Sequence, residues 1–159
     1  MKPEPTNQIH KKAITAWRIN GFFTSLGYWL VPVGYALVAW EGQWPWWPVY
    51  LVSGLVILNT ILQASVIPVV RWRHWRYQID ENEIDLKRGI FIVRRTLIPA
   101  KRVQHVDSSQ GPVYRSLKLA KVTIFTAGSI HDIPALDEET AEQVRILISK
   151  FAREAQENV

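Results

Sequence analysis

The chain has no cysteine among its 159 residues, which excludes disulfide bonds and any chemistry that needs a thiolate. Charge is also missing over long stretches. From Ile19 to Trp40, 22 residues carry no Asp, Glu, Lys or Arg, and after Glu41 the segment from Gly42 to Val70 adds 29 more. A helix needs roughly 20 mainly apolar residues to cross the hydrocarbon core of a bilayer. The two runs predict a transmembrane helical hairpin over 19–70, with helices over 19–40 and 46–70 and a turn near Glu41, Gly42 and Gln43. No Asp, Glu, Lys, Arg or His lies inside either run, so a transport pathway has no charge there to build on. A cleaved signal peptide is not expected, because the first run is too long and no small-residue cleavage pattern interrupts it.

The residues that are present are unevenly placed. Of eight tryptophans, Trp17 precedes the first run, Trp72 and Trp75 follow the second, and Trp40, Trp44, Trp46 and Trp47 cluster at the turn. Indoles collect where a bilayer meets water, with the ring part buried and its N–H reaching headgroups. These seven tryptophans, with Arg71 and Arg73, are the expected membrane-interface anchors. Lys11, Lys12 and Arg18 lie before the hairpin, Arg71, Arg73 and Arg76 after it, and the turn carries only Glu41. The positive-inside rule then puts both termini in the cytoplasm and the turn outside. RWRHWRY, residues 71–77, accordingly reads as a membrane exit, and no nucleic-acid partner is expected. Within the hairpin, Asn59 falls at the depth of Ser25 and Gln63 near that of Gly21, which predicts an interhelical polar contact of Ser25 with Asn59 and close packing. Pro32 and Pro68 are candidate kinks.

Residues 71–159 carry 15 Lys or Arg and 12 Asp or Glu and read as a soluble domain behind a segment 1–18 and the hairpin. RYQID (76–80) and EIDLK (83–87) alternate around a tight acidic turn. Strands are also expected at 90–99, 101–109, 121–127 and 129–136, with one helical turn in VYRSLKL. A long helix follows, N-capped by Asp137, with Val144, Leu147, Ile148, Phe151 and Ala155 as its apolar stripe. The fold class is α+β, an antiparallel sheet or open barrel covered by one helix.

Five pieces in this half fall in a recognisable order: Ile98-Pro99; Arg102-Val103-Gln104-His105-Val106; Gln110-Gly111 with Arg115; Val122-Thr123-Ile124; and Thr126-Ala127-Gly128. They resemble the bacterial pleckstrin-homology (PH) domain family, and the layout of two membrane helices before one such domain is similar to its membrane-anchored members. The departure is Leu119-Ala120, where glycine is common. The resemblance implies a PH-like, seven-stranded, partly open antiparallel barrel capped by the C-terminal helix, in a multi-pass protein of the bacterial inner or plasma membrane. It also implies a partner membrane protein with PH-like domains, or a homo-oligomer, and a role in envelope stress or antimicrobial defence.

Residue by residue, the chain carries no enzyme signal. His105, Asp107 and Ser109 share a strand face but stand too far apart for a triad, since alternate strand residues are roughly 6.5 Å apart. His105 and His131 with Asp107 and Asp132 lack metal-ligand spacing, so neither metal nor cofactor is expected. Between Lys87 and Lys121 there are nine cations and one acid, Asp107. Arg94, Arg95, Lys101, Arg102, Arg115, Lys118 and Lys121 form the candidate lipid- or partner-binding face, with weak attraction to acidic headgroups. PH domains that bind phosphoinositides commonly carry cations in the first strand–strand loop, whereas this chain has Asp80-Glu81-Asn82-Glu83 there. The favoured reading is a non-catalytic membrane-anchored interaction or scaffold module; the alternatives are an acidic-lipid sensor and a small subunit of a transport complex.

Overall fold

The computed structural model describes residues 4–90 and 92–157, which fall into two compact units. One is Ile14–Val69; the other joins the residues up to Ala13 with those from Val70 onward.

The first unit is made of two long apolar helical stretches. α1 (Ala13–Tyr28) and α2 (Leu30–Gly42) make one, and α3 (Trp47–Ile61), a π-helical turn (Leu62–Val66) and α4 (Ile67–His74) make the other. Both are long and apolar enough to cross a membrane, and only 17% and 11% of their most apolar windows are buried. So much exposed apolar surface is unstable in water and stable in lipid. Proline explains both irregularities. Pro32 has no N–H for the Tyr28 carbonyl, and the break between α1 and α2 falls beside it at Trp29. Pro68 likewise cannot serve Ala64, and the preceding turn shifts register so that the Ile67 N–H bonds the Leu62 carbonyl.

Both stretches outrun the expected limits, starting at Ala13 and ending at His74. Arg71, Arg73 and His74 favour that extension, since cations in a last turn complement the helix dipole. Between the stretches, Gln43 takes a left-handed conformation (φ 52°) that ends α2. Across the hairpin, a Cβ on Gly21 would lie 3.1 Å from the Gln63 carbonyl oxygen, so glycine is what lets the backbones approach. The expected Ser25–Asn59 contact takes another form. Ser25 is buried, but its hydroxyl donates to the Phe22 carbonyl of its own helix at 2.7 Å, while Asn59 is exposed.

The second unit is built on two antiparallel sheets. The first runs β1 (Asn7–Gln8), β2 (Arg76–Ile79), β3 (Glu83–Arg88), β4 (Arg94–Pro99) in that order. The second runs β5 (Val103–Ser109), β6 (Leu119–Thr126), β7 (Ile130–Asp137). The fold is α+β, and the two sheets are not joined into one closed barrel. β1 comes from the N-terminal segment, where two polar residues gave no strand signal. The strand expected over 90–99 begins only at Arg94, and Phe91 lies outside the described residues. Gly89, at φ 124°, starts the intervening turn; a Cβ there would collide with the Ile92 carbonyl.

α5 (Pro112–Ser116) spans β5 to β6, and α6 (Glu138–Glu157) packs on β5, β6, β7 and the tight turn Ala100–Arg102. Asp137 caps α6 by accepting the Thr140 N–H at 3.0 Å. The stripe of α6 that is buried is Ala141, Val144, Ile148 and Ala152; Leu147, expected inside, is 38% exposed. These four positions repeat at about one helical face, and Leu147 falls off its edge. Ile84, Leu86, Ile98, Val106, Val122 and Ile133 bring the two sheets' apolar faces into the core.

Candidate functional site

The cations expected to form one face are divided by their surroundings. Asp85 is buried in β3 and is gripped by Arg95 from β4, with Nε at 2.9 Å and Nη2 at 2.6 Å from Oδ2. Arg95 is therefore part of the sheet's own pairing; the Asp85 bond raises its pKa, against a smaller opposing effect of burial. Lys121 lies 3.5 Å from Asp132, which also accepts the Thr123 hydroxyl at 2.8 Å. Lys101 and Arg102 line a cavity of about 520 Å³ with Thr126, Ser129 and Gln156. Arg94 lines a different one, of about 290 Å³, with Arg71, Trp75, Arg88 and Ile92. Arg115 ends α5, and Lys118 takes a left-handed conformation just beyond it; both are exposed. The seven cations thus supply two lined cavities, two acid-paired positions and an exposed pair.

The anchors divide as well. Trp40, Trp44, Trp46 and Trp47 are exposed at the turn of the hairpin, and Trp17 is half-buried. Arg71 and Arg73 are exposed at the end of α4. Trp75 is only 3% exposed, so its ring belongs to the sheet unit's core rather than to a headgroup surface. Trp72 donates its indole N–H to the Ile9 carbonyl at 3.0 Å, and Gln8 donates in return to the Trp72 carbonyl at 3.1 Å. The alternation of RWRHWRY is broken because the helix persists through His74 and a strand starts at Arg76.

His105 stacks on Phe125, with ring centroids 4.2 Å apart, and its Nε2 is 3.8 Å from Asp107 Oδ2, both residues exposed. The buried Nδ1 of His131 has no hydrogen-bond partner, while its Nε2 contacts Ser129 Oγ at 2.7 Å. Burial lowers the His131 pKa, and the nearby Arg88 charge lowers it further. Among the described residues no three His, Asp or Glu gather as a metal site.

The motif pieces hold the fold. Gln110 donates to Glu138 in the first turn of α6 at 2.8 Å, and Gly111 accepts the Arg115 N–H that closes α5. The Thr126 hydroxyl donates to the Ser129 carbonyl at 2.8 Å and accepts the Ser129 N–H, fixing the β6–β7 turn. Ile98 is buried, and Pro99 precedes the Ala100–Arg102 turn. A family model described as "Bacterial PH domain" matches residues 22–152. The chain belongs to the bacterial PH domain family.

The match begins inside α1, so the family's pattern takes in most of the helical hairpin as well as the sheets. The chain is 38% identical to UPF0699 transmembrane protein YdbS of Bacillus subtilis (strain 168), over the full length of both. It is 29% identical over 107 residues to UPF0699 transmembrane protein YdbT of the same organism, covering 65% of this chain and 21% of that longer protein. No solved structure matches it. With a relative named a transmembrane protein and two exposed apolar helical stretches, this bacterial PH domain protein is a membrane-associated module.

Proposed function

We propose that the chain is a non-catalytic interaction module anchored by a two-helix membrane hairpin, with the N-terminus and the PH-like unit together on the cytoplasmic side. The pairing of β1 with β2 carries this reading. Asn7 faces Tyr77 and Gln8 faces Arg76 in one sheet, and the two long apolar stretches lie between them in sequence. A chain that leaves a sheet and returns to it has crossed the bilayer an even number of times. The cations at both ends of the hairpin choose the cytoplasmic side. Because the chain lacks cysteine, single-cysteine variants report cleanly. Gln43→Cys should react with an impermeant maleimide on intact cells, and Thr6→Cys and Ser129→Cys only after the membrane is opened. Labelling of Ser129→Cys from outside would refute the arrangement.

The partner best supported is a membrane protein carrying a similar domain, since YdbT contains a matching stretch within a much longer chain. Affinity capture from native membranes in mild detergent should return such a partner, or a second copy, in stoichiometric amount. Recovery of the chain alone would count against the scaffold role.

A further inference from the structure

We infer that Ile92 and Val93, between β3 and β4, enter the acyl boundary of the membrane surface while Arg88 and Arg94 hold phosphates of acidic lipids. This rests on the membrane-anchor reading above. Ile92 is 73% exposed and Val93 54%, next to a strand end whose last two rungs carry cations on both sides. In water this placement gains nothing; at a bilayer surface it buries apolar area.

The cations on either side of Ile92 and Val93 are arranged for an anion. Arg88 and Arg94 are direct cross-strand partners, as are Lys87 and Arg95 one rung further in. Like charges facing one another across a ladder are unfavourable unless compensated. The inner rung has its own acids, Glu4 for Lys87 and Asp85 for Arg95. The outer rung has no carboxylate partner among the described residues. The titratable neighbour of Arg88 is His131, and the adjacent Asp132 is engaged by Thr123 and Lys121.

The location selects a lipid leaflet over a soluble anion. Arg88, Arg94, Ile90 and Ile92 line their cavity together with Arg71 and Trp75. Arg71 is the first charge after the apolar run from Gly42 to Val70, the point where the chain reaches the interface. The opposite end of β3 carries the Asp80–Glu83 acids, about 20 Å away along a six-residue strand. The strand therefore has a cationic end beside Arg71 and an acidic end far from it. The cavity at Lys101 and Arg102 is a weaker anion site, because Gln156 in the last turn of α6 brings the negative end of a helix dipole to it.

The test uses the full chain in vesicles, with a bimane label on Ile92→Cys, on Gly128→Cys in the β6–β7 turn, and on Ile57→Cys within α3. Vesicles are phosphatidylcholine alone or mixed with phosphatidylglycerol; quenchers are a lipid nitroxide and aqueous iodide. The Ile92 label should be quenched by the nitroxide and shielded from iodide severalfold relative to Gly128, more so with phosphatidylglycerol. Arg88→Gln with Arg94→Gln should abolish the phosphatidylglycerol dependence, and the matching pair of lysine substitutions should retain it. Equal iodide quenching at Ile92 and Gly128 in both vesicles would overturn the inference. Shielding that is indifferent to phosphatidylglycerol and to the Gln pair would overturn the phosphate-holding role. Failure of the anchor reading is distinguished by Ile57, whose label would then be reached by iodide.

Discussion

At the scale of single residues, charge alone is a poor guide to what a cation does. Arg95 stands in a run of cations and reads as part of a surface, but its partner Asp85 sits ten positions back, on the neighbouring strand. Only register brings them together, and register is not visible in composition. Arg95→Gln should lower the melting temperature of the detergent-solubilised protein by several degrees, and Asp85→Asn added to it should restore part of the loss. Recovery in the double variant is the diagnostic, because an unpaired buried carboxylate is what costs stability. Asp137 was legible, since a cap is a local device. Burial works to raise its pKa, but the bonds from Thr140 outweigh this and hold it below the ordinary 3.8. A depressed carboxyl pKa stabilises the fold above the unfolded value, and the benefit is lost as pH falls through the folded one. Asp137→Ala should cost about 1 kcal/mol at neutral pH. Thermal melts should show the gap closing in acid. His131 follows the same sign from a different range. Burial, helped by the Arg88 charge and opposed by Asp132, holds its pKa below the ordinary 6.5, so stability should fall as pH drops below 6.5, and His131→Gln should flatten that slope.

Elements were legible in proportion to how local their causes are. The two charge-free runs, the alternation of β2 and β3 and the long C-terminal helix all follow from patterns within a dozen residues. The rest needed partners distant in sequence. Nothing in Asn7–Gln8 marks a strand, because what makes it one is the free edge of β2 nearly 70 positions on. Leu147 fits a generous helical stripe, yet the face that meets β5–β7 is narrower and runs through Ala141, Val144, Ile148 and Ala152. Ile148→Ala should therefore destabilise the protein by about 3 kcal/mol. Leu147→Ala should cost far less, and equal losses in chemical denaturation would return Leu147 to the core. In the hairpin the decisive residue is small. Gly21→Val places methyl groups against the Gln63 backbone, where a bare Cβ already stands at 3.1 Å. Separation of the two helices, read as faster proteolysis or a longer distance between spin labels, is the expected result.

At the scale of the whole molecule, the described residues on both sides of the hairpin belong to one sheet unit. Residues up to Ala13 are laced to it by more than β1. Ile9 is buried, His10 N–H donates to the Ala135 carbonyl at 3.0 Å, the Trp72 indole N–H donates to the Ile9 carbonyl, and Gln8 donates to the Trp72 carbonyl. Ala135, whose carbonyl accepts the His10 N–H, adopts φ 53° where the β6–β7 register shifts. At about 1 kcal/mol per hydrogen bond, with about 2 kcal/mol for burying Ile9, this clasp is strong enough to hold two separate pieces of chain beside each other. A cut in the turn between Gly42 and Trp47 leaves every one of these contacts intact, along with the Gly21–Gln63 approach inside the hairpin. Co-expressed fragments 1–43 and 44–159 should accordingly co-purify from membranes in mild detergent. Ile9→Asp in the first fragment removes the buried side chain and sets a carboxylate in its place, so it should reduce recovery severalfold, whereas Thr6→Asp, at an exposed position, should not. If the fragments separate even without substitution, the N-terminal strand is a passive addition and the hairpin's connecting turn is what keeps the ends together. If they remain joined and Ile9→Asp parts them, the sheet itself closes the loop that carries the chain through the membrane.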